Sequence, residues 1–436
     1  MNIIKVDLDK KIKRIKPLNC INNGPFYLRQ YSNEQAYMEA KFPYARLHDS
    51  VFGHPHCVDI NCVFPDFDAD PMNPESYDFT LTDQYLRQID NTGTKIFYRL
   101  GTSIEHELKK YHIYPPKDFK KWATVCEMII RHCNEGWADG LQLDIEYWEI
   151  WNEFDGVNPD GMPPMWMGTH EEYYELYEVT ARYLKEKFPQ LKIGGPAITD
   201  VRTPAFEEFI RTMSERRVPI DFISWHGYEY EADKFKEFAQ KVDELQKKYG
   251  YENAENILNE WNYVEGWTGE PMKNTFRVNR SMRAAAYIGA VMCSLQDSPA
   301  DMAMYYDATP GDWCGLFQSG SLDLLKPYYS FSAFSKLAEC EYEVYCENNN
   351  TGLYSCVAAN DNCANIMLVC YGDNVEPIKC KIDVLGCNKE FYAEYYLLDR
   401  EHNLKSIRKE SLSVGQNTIN IKMENESVLL IELRAK

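Results

Sequence analysis

The chain has 436 residues, 44% of them hydrophobic and 14% aromatic, with a formal net charge of −20. That length exceeds one ordinary domain and suits a (β/α)8 barrel of about 250–400 residues carrying a smaller module. The acidic balance excludes nucleic acid and anionic membrane as natural partners, since both need a basic surface, and it weighs against strongly anionic polysaccharides.

In chain order, residues 1–14 carry Ile3, Ile4, Val6 and Leu8 and predict a strand that joins a later sheet. From residue 15 to 341, short apolar runs alternate with helical stripes, the pattern of a parallel α/β fold. The predicted barrel strands are Pro17–Asn22, Phe42–His48, Lys95–Gly101, Tyr147–Glu153, Lys192–Ala197, Phe222–Tyr228, Asn256–Trp261 and Asp301–Asp307. Several are continuously apolar and end in polar residues, as strands covered on both faces should be. The stretch from Phe52 to Tyr77, rich in Pro, Asp and Asn, follows the second strand and is expected at the barrel mouth.

Between the strands, Phe119, Trp122, Cys126, Ile129, Ile130 and Cys133 fall on one helical face. Thr169 to Glu172 fits a capping box, followed on its helix by Tyr173, Tyr177, Tyr183 and Leu184. Phe235, Phe238, Val242, Leu245 and Tyr249 form another stripe, closed by Gly250. Arg283 to Leu295 and Ser330 to Cys340 read as the last barrel helices. Residues 342–436 change texture. Gly352–Ala358, Asn365–Tyr371, Ile378–Leu385, Phe391–Leu398, Thr418–Met423 and Ser427–Leu433 are strand-like at a spacing of about ten residues, which predicts a small β-sandwich.

The 14 cysteines are scattered without a CxxC pair, so a structural zinc site has no support. The opening MNIIKVDLDKKIKRIK is charged throughout, and no long apolar run follows. The expectation is a chain without secretory signal or membrane span, with free thiols, in the cytoplasm.

Two segments carry chemistry: Trp148-Glu149-Ile150-Trp151-Asn152-Glu153 and Ile257-Leu258-Asn259-Glu260-Trp261-Asn262. Each brings a glutamate to the end of an apolar strand, where barrel enzymes keep their reacting groups. Strands four and seven face each other, so Glu153 and Glu260 can meet across the mouth. Cleaving a glycosidic bond with retention needs such a pair, one carboxyl to protonate the leaving oxygen and one to attack the anomeric carbon. The Asn152 amide is placed to meet a sugar 2-hydroxyl. Strand alternation puts Glu149 on the same side as Glu153 but deeper, as a partner for Arg46 or Arg99.

These residues resemble the retaining (β/α)8-barrel glycosidases. Within that clan, the Trp148–Glu153 run, Arg46-Leu47-His48 and Asp221-Phe222-Ile223-Ser224-Trp225-His226 look like glycoside hydrolase family 39, which holds β-xylosidases and α-L-iduronidase. The resemblance implies Glu153 as acid/base and Glu260 as nucleophile. It also implies Asn152 as ligand of the 2-hydroxyl, His48 and His226 as glycone contacts, and Tyr228 as the group that orients the nucleophile. Trp313 could stack on the sugar or pack under a loop, and Asp307 could bind a hydroxyl. Two departures border the expected glycone pocket: Asp49 follows His48 where the family has a small residue, and Gly227 follows His226 where it often has an aromatic or polar one.

The implied protein is an exo-acting β-glycosidase of the β-xylosidase type that trims short oligosaccharides without metal or organic cofactor. Arabinosides, galactosides, glucosides and uronides are the rival substrates. A transglycosylase, and a barrel that binds carbohydrate without catalysis, are the other readings. Relatives are often oligomers, which leaves a homo-oligomer open.

Overall fold

The structure, a computed structural model, describes residues 2–28, 31–50, 56–158, 161–311, 313, 315–373 and 375–436. Eight parallel strands close into a barrel in chain order: Cys20–Asn22, Tyr44–Leu47, Lys95–Leu100, Tyr147–Ile150, Lys192–Ile198, Phe222–Glu229, Glu255–Tyr263 and Met302–Tyr305. Each lies within or close to the run expected from sequence. Their side chains divide as the pleat requires. Phe97, Tyr147, Phe222, Ile257, Met302 and Met304 point inward and plug the lower barrel. Tyr98, Trp148, Ile223 and Leu258 point outward into the layer beneath the helices.

The helices behave as their sequences dictate. Phe119–Glu135 buries Trp122, Cys126, Ile129, Ile130 and Cys133, and the Asp118 carboxylate caps its first turn. Thr169 and Glu172 form a reciprocal capping box at the start of His170–Lys187. Gly250 closes Lys234–Tyr249 at φ 79°, a left-handed geometry that suits glycine. Met282–Gln296 is buried on nearly every side, because a second module covers its outer face. The last barrel helix runs Lys326–Glu339, starting earlier than the apolar pattern suggests because a proline occupies its first turn.

That second module is one continuous sheet of nine strands rather than two separate ones. Apolar residues from across it, Phe391 and Ile431 with Ile382 and Ile421, share one core, so the sheet bends over on itself to make the sandwich-like pack. The first strand, Asn2–Arg14, pairs antiparallel with Tyr342–Asn348 and parallel with Ile378–Cys387. The other face meets the barrel: Met367, Val369, Val428 and Leu430 belong to the barrel's outer core.

The Phe52–Tyr77 stretch begins outside the described residues, since 51–55 are not among them. Beyond, Asp59 is fully buried. It accepts from Arg99 Nη2 at 2.7 Å and from the Ser103 backbone N–H at 2.6 Å, tying the loops after strands two and three together.

Candidate active site

Glu153 and Glu260 meet at the C-terminal mouth, and neither gets there by simple strand alternation. Strand four ends at Ile150. The chain then leaves the sheet through two left-handed residues, Trp151 at φ 68° and Glu153 at φ 44°. Such backbone is costly for non-glycine residues and gathers at functional sites. Trp151 turns outward against Trp122 and Trp166, while Glu153 swings over the mouth. The expectation that strand four reaches Glu153, with the pleat placing Glu149 and Glu153 alike, is therefore corrected: Glu149 points inward from the strand and Glu153 is aimed by a turn. In strand seven the pairing register slips after Leu258 on both flanks. This bulge lets consecutive residues Asn259 and Glu260 both face inward, a known use of bulges beside active sites.

Arg46, fully buried, organises the floor. Its Nε donates to Glu149 Oε2 at 2.7 Å. Nη1 donates to Asn22 Oδ1 and Glu260 Oε2, each at 3.1 Å, and Nη2 donates to Asn152 Oδ1 at 2.6 Å. Asn259 Nδ2 and Ser224 Oγ complete the shell of Glu149. Arg99, the alternative partner for Glu149, serves Asp59 instead. Tyr228 donates its hydroxyl to Glu260 Oε1.

His226 lies between the two carboxyls. Its Nδ1 is 2.7 Å from Glu153 Oε1 and its Nε2 is 3.7 Å from Glu260 Oε2. Burial drives this imidazole down to about 4, so it is neutral near pH 7 and carries one proton. When that proton sits on Nδ1, His226 donates to Glu153. When it sits on Nε2, Glu153 must be the donor. Burial first, then the charge of Asp155, pushes Glu153 up to about 8, with Arg46 pulling the other way. Burial also raises Glu260, opposed by His226, Arg46 and the Tyr228 hydroxyl. His48 is buried, held neutral by burial and by Arg99 and Arg46, and lies 3.4 Å from Asn152 Nδ2.

Glu153, Tyr228 and Glu260 open into a cleft of about 1020 Å³ that Asp49, Tyr306, Asp307, Trp267 and Trp313 also line. A second lobe beyond Glu153 and His226 passes Gly227. Asn152 and His48 are each only 1% exposed, beneath this open floor. Trp313 is in the cleft, stacked on Trp267 at 5.6 Å between centroids, and Trp267 in turn meets Tyr228 edge-on at 5.0 Å. The neighbours of Trp313 in sequence, Asp312 and Cys314, lie outside the described residues. Asp307 accepts from Asn23 Nδ2 at 2.9 Å and from Thr309. A side chain at Gly227 would strike the Phe235 ring, at 2.8 Å from an added Cβ, which accounts for that departure by packing. Asp49 accepts from the Ile104 N–H at 2.8 Å and the Tyr306 hydroxyl at 2.9 Å, joining three rim segments.

Sequence reasoning did not single out Trp267 or Asp155. The signal for Trp267 was a tryptophan between glycines just after the strand that carries Glu260. Among the described residues, one trio could hold a metal ion: Glu153, His226 and Glu260 each offer an atom, all within 4.8 Å of one another.

A barrel whose strands four and seven bring two glutamates together at the mouth, one clamped by arginine and tyrosine and one held protonated, defines the class of barrel glycosidases. Residues 3–299 match the family model described as Glycosyl hydrolases family 39, and the chain belongs to that family. It is 35% identical over 225 residues to a β-xylosidase of Geobacillus stearothermophilus, a match covering 49% of this chain and 42% of that protein. It is 31% identical over 163 residues to a β-xylosidase of Caldicellulosiruptor saccharolyticus, covering 35% and 31%. The chain thus spans less than half the length of these curated relatives. Its fold superposes on a glucosidase from Croceicoccus marinus with a TM-score of 0.84 at 20% identity, covering 100% of this chain and 99% of that one, a likeness of fold.

Proposed function

We propose that the protein is a retaining, exo-acting β-glycosidase of the β-xylosidase type. The observation that carries this reading is the pair itself: oxygens of Glu153 and Glu260 lie within 4.8 Å of each other. Retaining enzymes hold their carboxyls about 5–5.5 Å apart, whereas inverting ones leave about 6.5–9.5 Å for a water. Identity to two β-xylosidases supports the glycone.

In this reading Glu260 attacks the anomeric carbon as the bond to the leaving oxygen breaks, and Glu153 gives that oxygen its proton. A glycosyl ester of Glu260 results. Glu153, now a carboxylate, takes a proton from water, and the water oxygen attacks the same carbon and frees Glu260. Arg46 and Tyr228 hold the attacking carboxylate in place. Arg46 also occupies Asn152 Oδ1, which leaves the amide hydrogens as the donors a 2-hydroxyl would meet. Trp267 and Trp313 offer apolar faces to a sugar ring. No helix of the described residues is long and apolar enough to cross a membrane. Among the described residues the cysteines form no disulfide, which supports a reducing compartment, the cytoplasm.

The test is a panel of nitrophenyl β-D-xyloside, α-L-arabinofuranoside, α-L-arabinopyranoside, β-D-galactoside and β-D-glucoside against wild type and Glu260→Gly. Hydrolysis of the xyloside that vanishes in the variant, with azide then yielding a glycosyl azide of inverted configuration, is the expected result. Near-full activity in Glu260→Gly would sink the assignment. Activity on another sugar alone would replace the glycone.

A further inference from the structure

The turn that aims Glu153 contains a second acid with no part in bond cleavage. Asp155 follows two residues later, and its carboxylate grips the residue just past strand five. Oδ1 accepts from the Thr199 N–H at 3.1 Å and Oδ2 from the Thr199 hydroxyl at 2.6 Å. On the other side of Phe154, the Glu153 N–H donates to Ala197 O at 2.9 Å. Phe154 itself is buried, stacked on Tyr173 at 4.0 Å. The backbone of Glu153 is thus pinned to strand five on both sides, and the left-handed conformation it must keep is held by its neighbours.

We propose that Asp155, clipped to Thr199, is a positioning residue for the acid/base: it locks the turn that carries Glu153 and fixes a negative charge behind it. The proposal rests on the reading of Glu153 as acid/base. The charged and titratable groups facing Glu153 are Asp155 on its own turn, His226 and Tyr228 from strand six, Glu260 from strand seven, and Arg46 and Asp49 from strand two and its end. Those facing Asp155 include His170, at the start of its helix. Among them Asp155 is the largest charge acting to keep Glu153 protonated, after burial, and Arg46 opposes it. The sign is fixed: a proton donor must still hold its proton at working pH, and a neighbouring negative charge extends that range upward.

The test uses two aryl glycosides of whichever sugar is cleaved in the panel above, dinitrophenyl with a good leaving group and phenyl with a poor one. Glu153→Gln comes first. It should depress the phenyl glycoside far more than the dinitrophenyl one; equal losses would remove the acid/base premise and this proposal with it. With that premise standing, Asp155→Asn should move the basic limb of kcat/KM for the phenyl glycoside down by about one pH unit. Thr199→Val keeps the charge and breaks half the clip. It should lower kcat on the phenyl glycoside by about tenfold while the dinitrophenyl glycoside changes by less than about twofold, and Thr199→Ser should restore it. An unmoved basic limb in Asp155→Asn, or equal losses on both substrates in Thr199→Val, would overturn the proposal while leaving the glycosidase reading intact. Should Asp155→Asn not fold, the Thr199 pair decides alone.

Discussion

Glu153 is paid for in stability. Its carboxyl rests near pKa 8 in the fold, mainly through burial, against about 4.3 in an unfolded chain. A raised carboxyl stabilises the folded state fully below the unfolded value, and that contribution is lost as pH rises through the folded one. Glu153→Gln removes the titration while keeping the shape. Its thermal midpoint should therefore gain on wild type as pH rises from 5 to 8, with the two nearly equal at the acid end. A constant difference across that range would mean the folded pKa is ordinary. The same residue marks what the sequence could convey. Asn-Glu at the end of an apolar run pointed to the two carboxyls that the structure brings together at the mouth, and Arg46 was one of two partners expected for Glu149. Alternation from Ile257, however, would point Asn259 and Trp261 inward and Glu260 out. Only the bulge corrects this, and a bulge arises from pairing on both flanks, which no local pattern encodes.

Secondary-structure elements were legible where they are buried. The barrel strands have apolar residues on both faces and read clearly. Lys405–Leu412 did not: it is an edge strand of nearly all exposed residues, with charges that suit an edge and hide the strand. Tyr342–Asn348 escaped notice for a related reason, being only partly buried along most of its length. At the seam between modules, Cys340 caps the end of the last barrel helix and the strand Cys363–Cys370 begins opposite it, with the Sγ atoms of Cys340 and Cys363 2.8 Å apart. Glutathione disulfide, as oxidant, should join them into one intramolecular disulfide, leaving two fewer titratable thiols and a mass about 2 Da lower. Closing a loop of this size stabilises by about 3 kcal/mol in the chain-entropy picture, so the thermal midpoint should rise, and Cys363→Ser should lose both effects. Recovery of Cys363 as a free thiol under excess oxidant would refute the prediction.

At the scale of the molecule, barrel and sheet share a core. Gly289 on Met282–Gln296 leaves room for Val369 and Met367, whose atoms lie 3.0 and 3.2 Å from where a Cβ would be. The sheet therefore completes the barrel's burial. A chain ending at Glu341 would expose an apolar helix along its outer face and leave Asn2–Arg14 unpaired. It should aggregate or unfold without a cooperative transition, and a soluble monomer melting like the full chain would show the modules to be independent. The sequence changes texture near residue 341, but nothing in it marks which helix the later strands cover, because a buried helix looks the same whatever covers it.

Asn2–Arg14 sits inside the nine-stranded sheet with strands from the far end of the chain on both sides. During synthesis Ile4 must wait until its parallel partner Ile382 emerges. At about 5–20 residues per second that is a delay of tens of seconds. For most of it, an amphipathic strand waits beside the ribosome unpaired, since its antiparallel partner Tyr342–Asn348 emerges only shortly before. Its inward residues Ile4, Val6 and Leu8 are apolar, while Lys5, Asp7, Asp9, Lys10, Lys11 and Lys13 put charge along the rest. Such charges act as gatekeepers against premature pairing with another chain. Residues made long before their partners are thus among the last to find their place, and their own sequence keeps them apart until then.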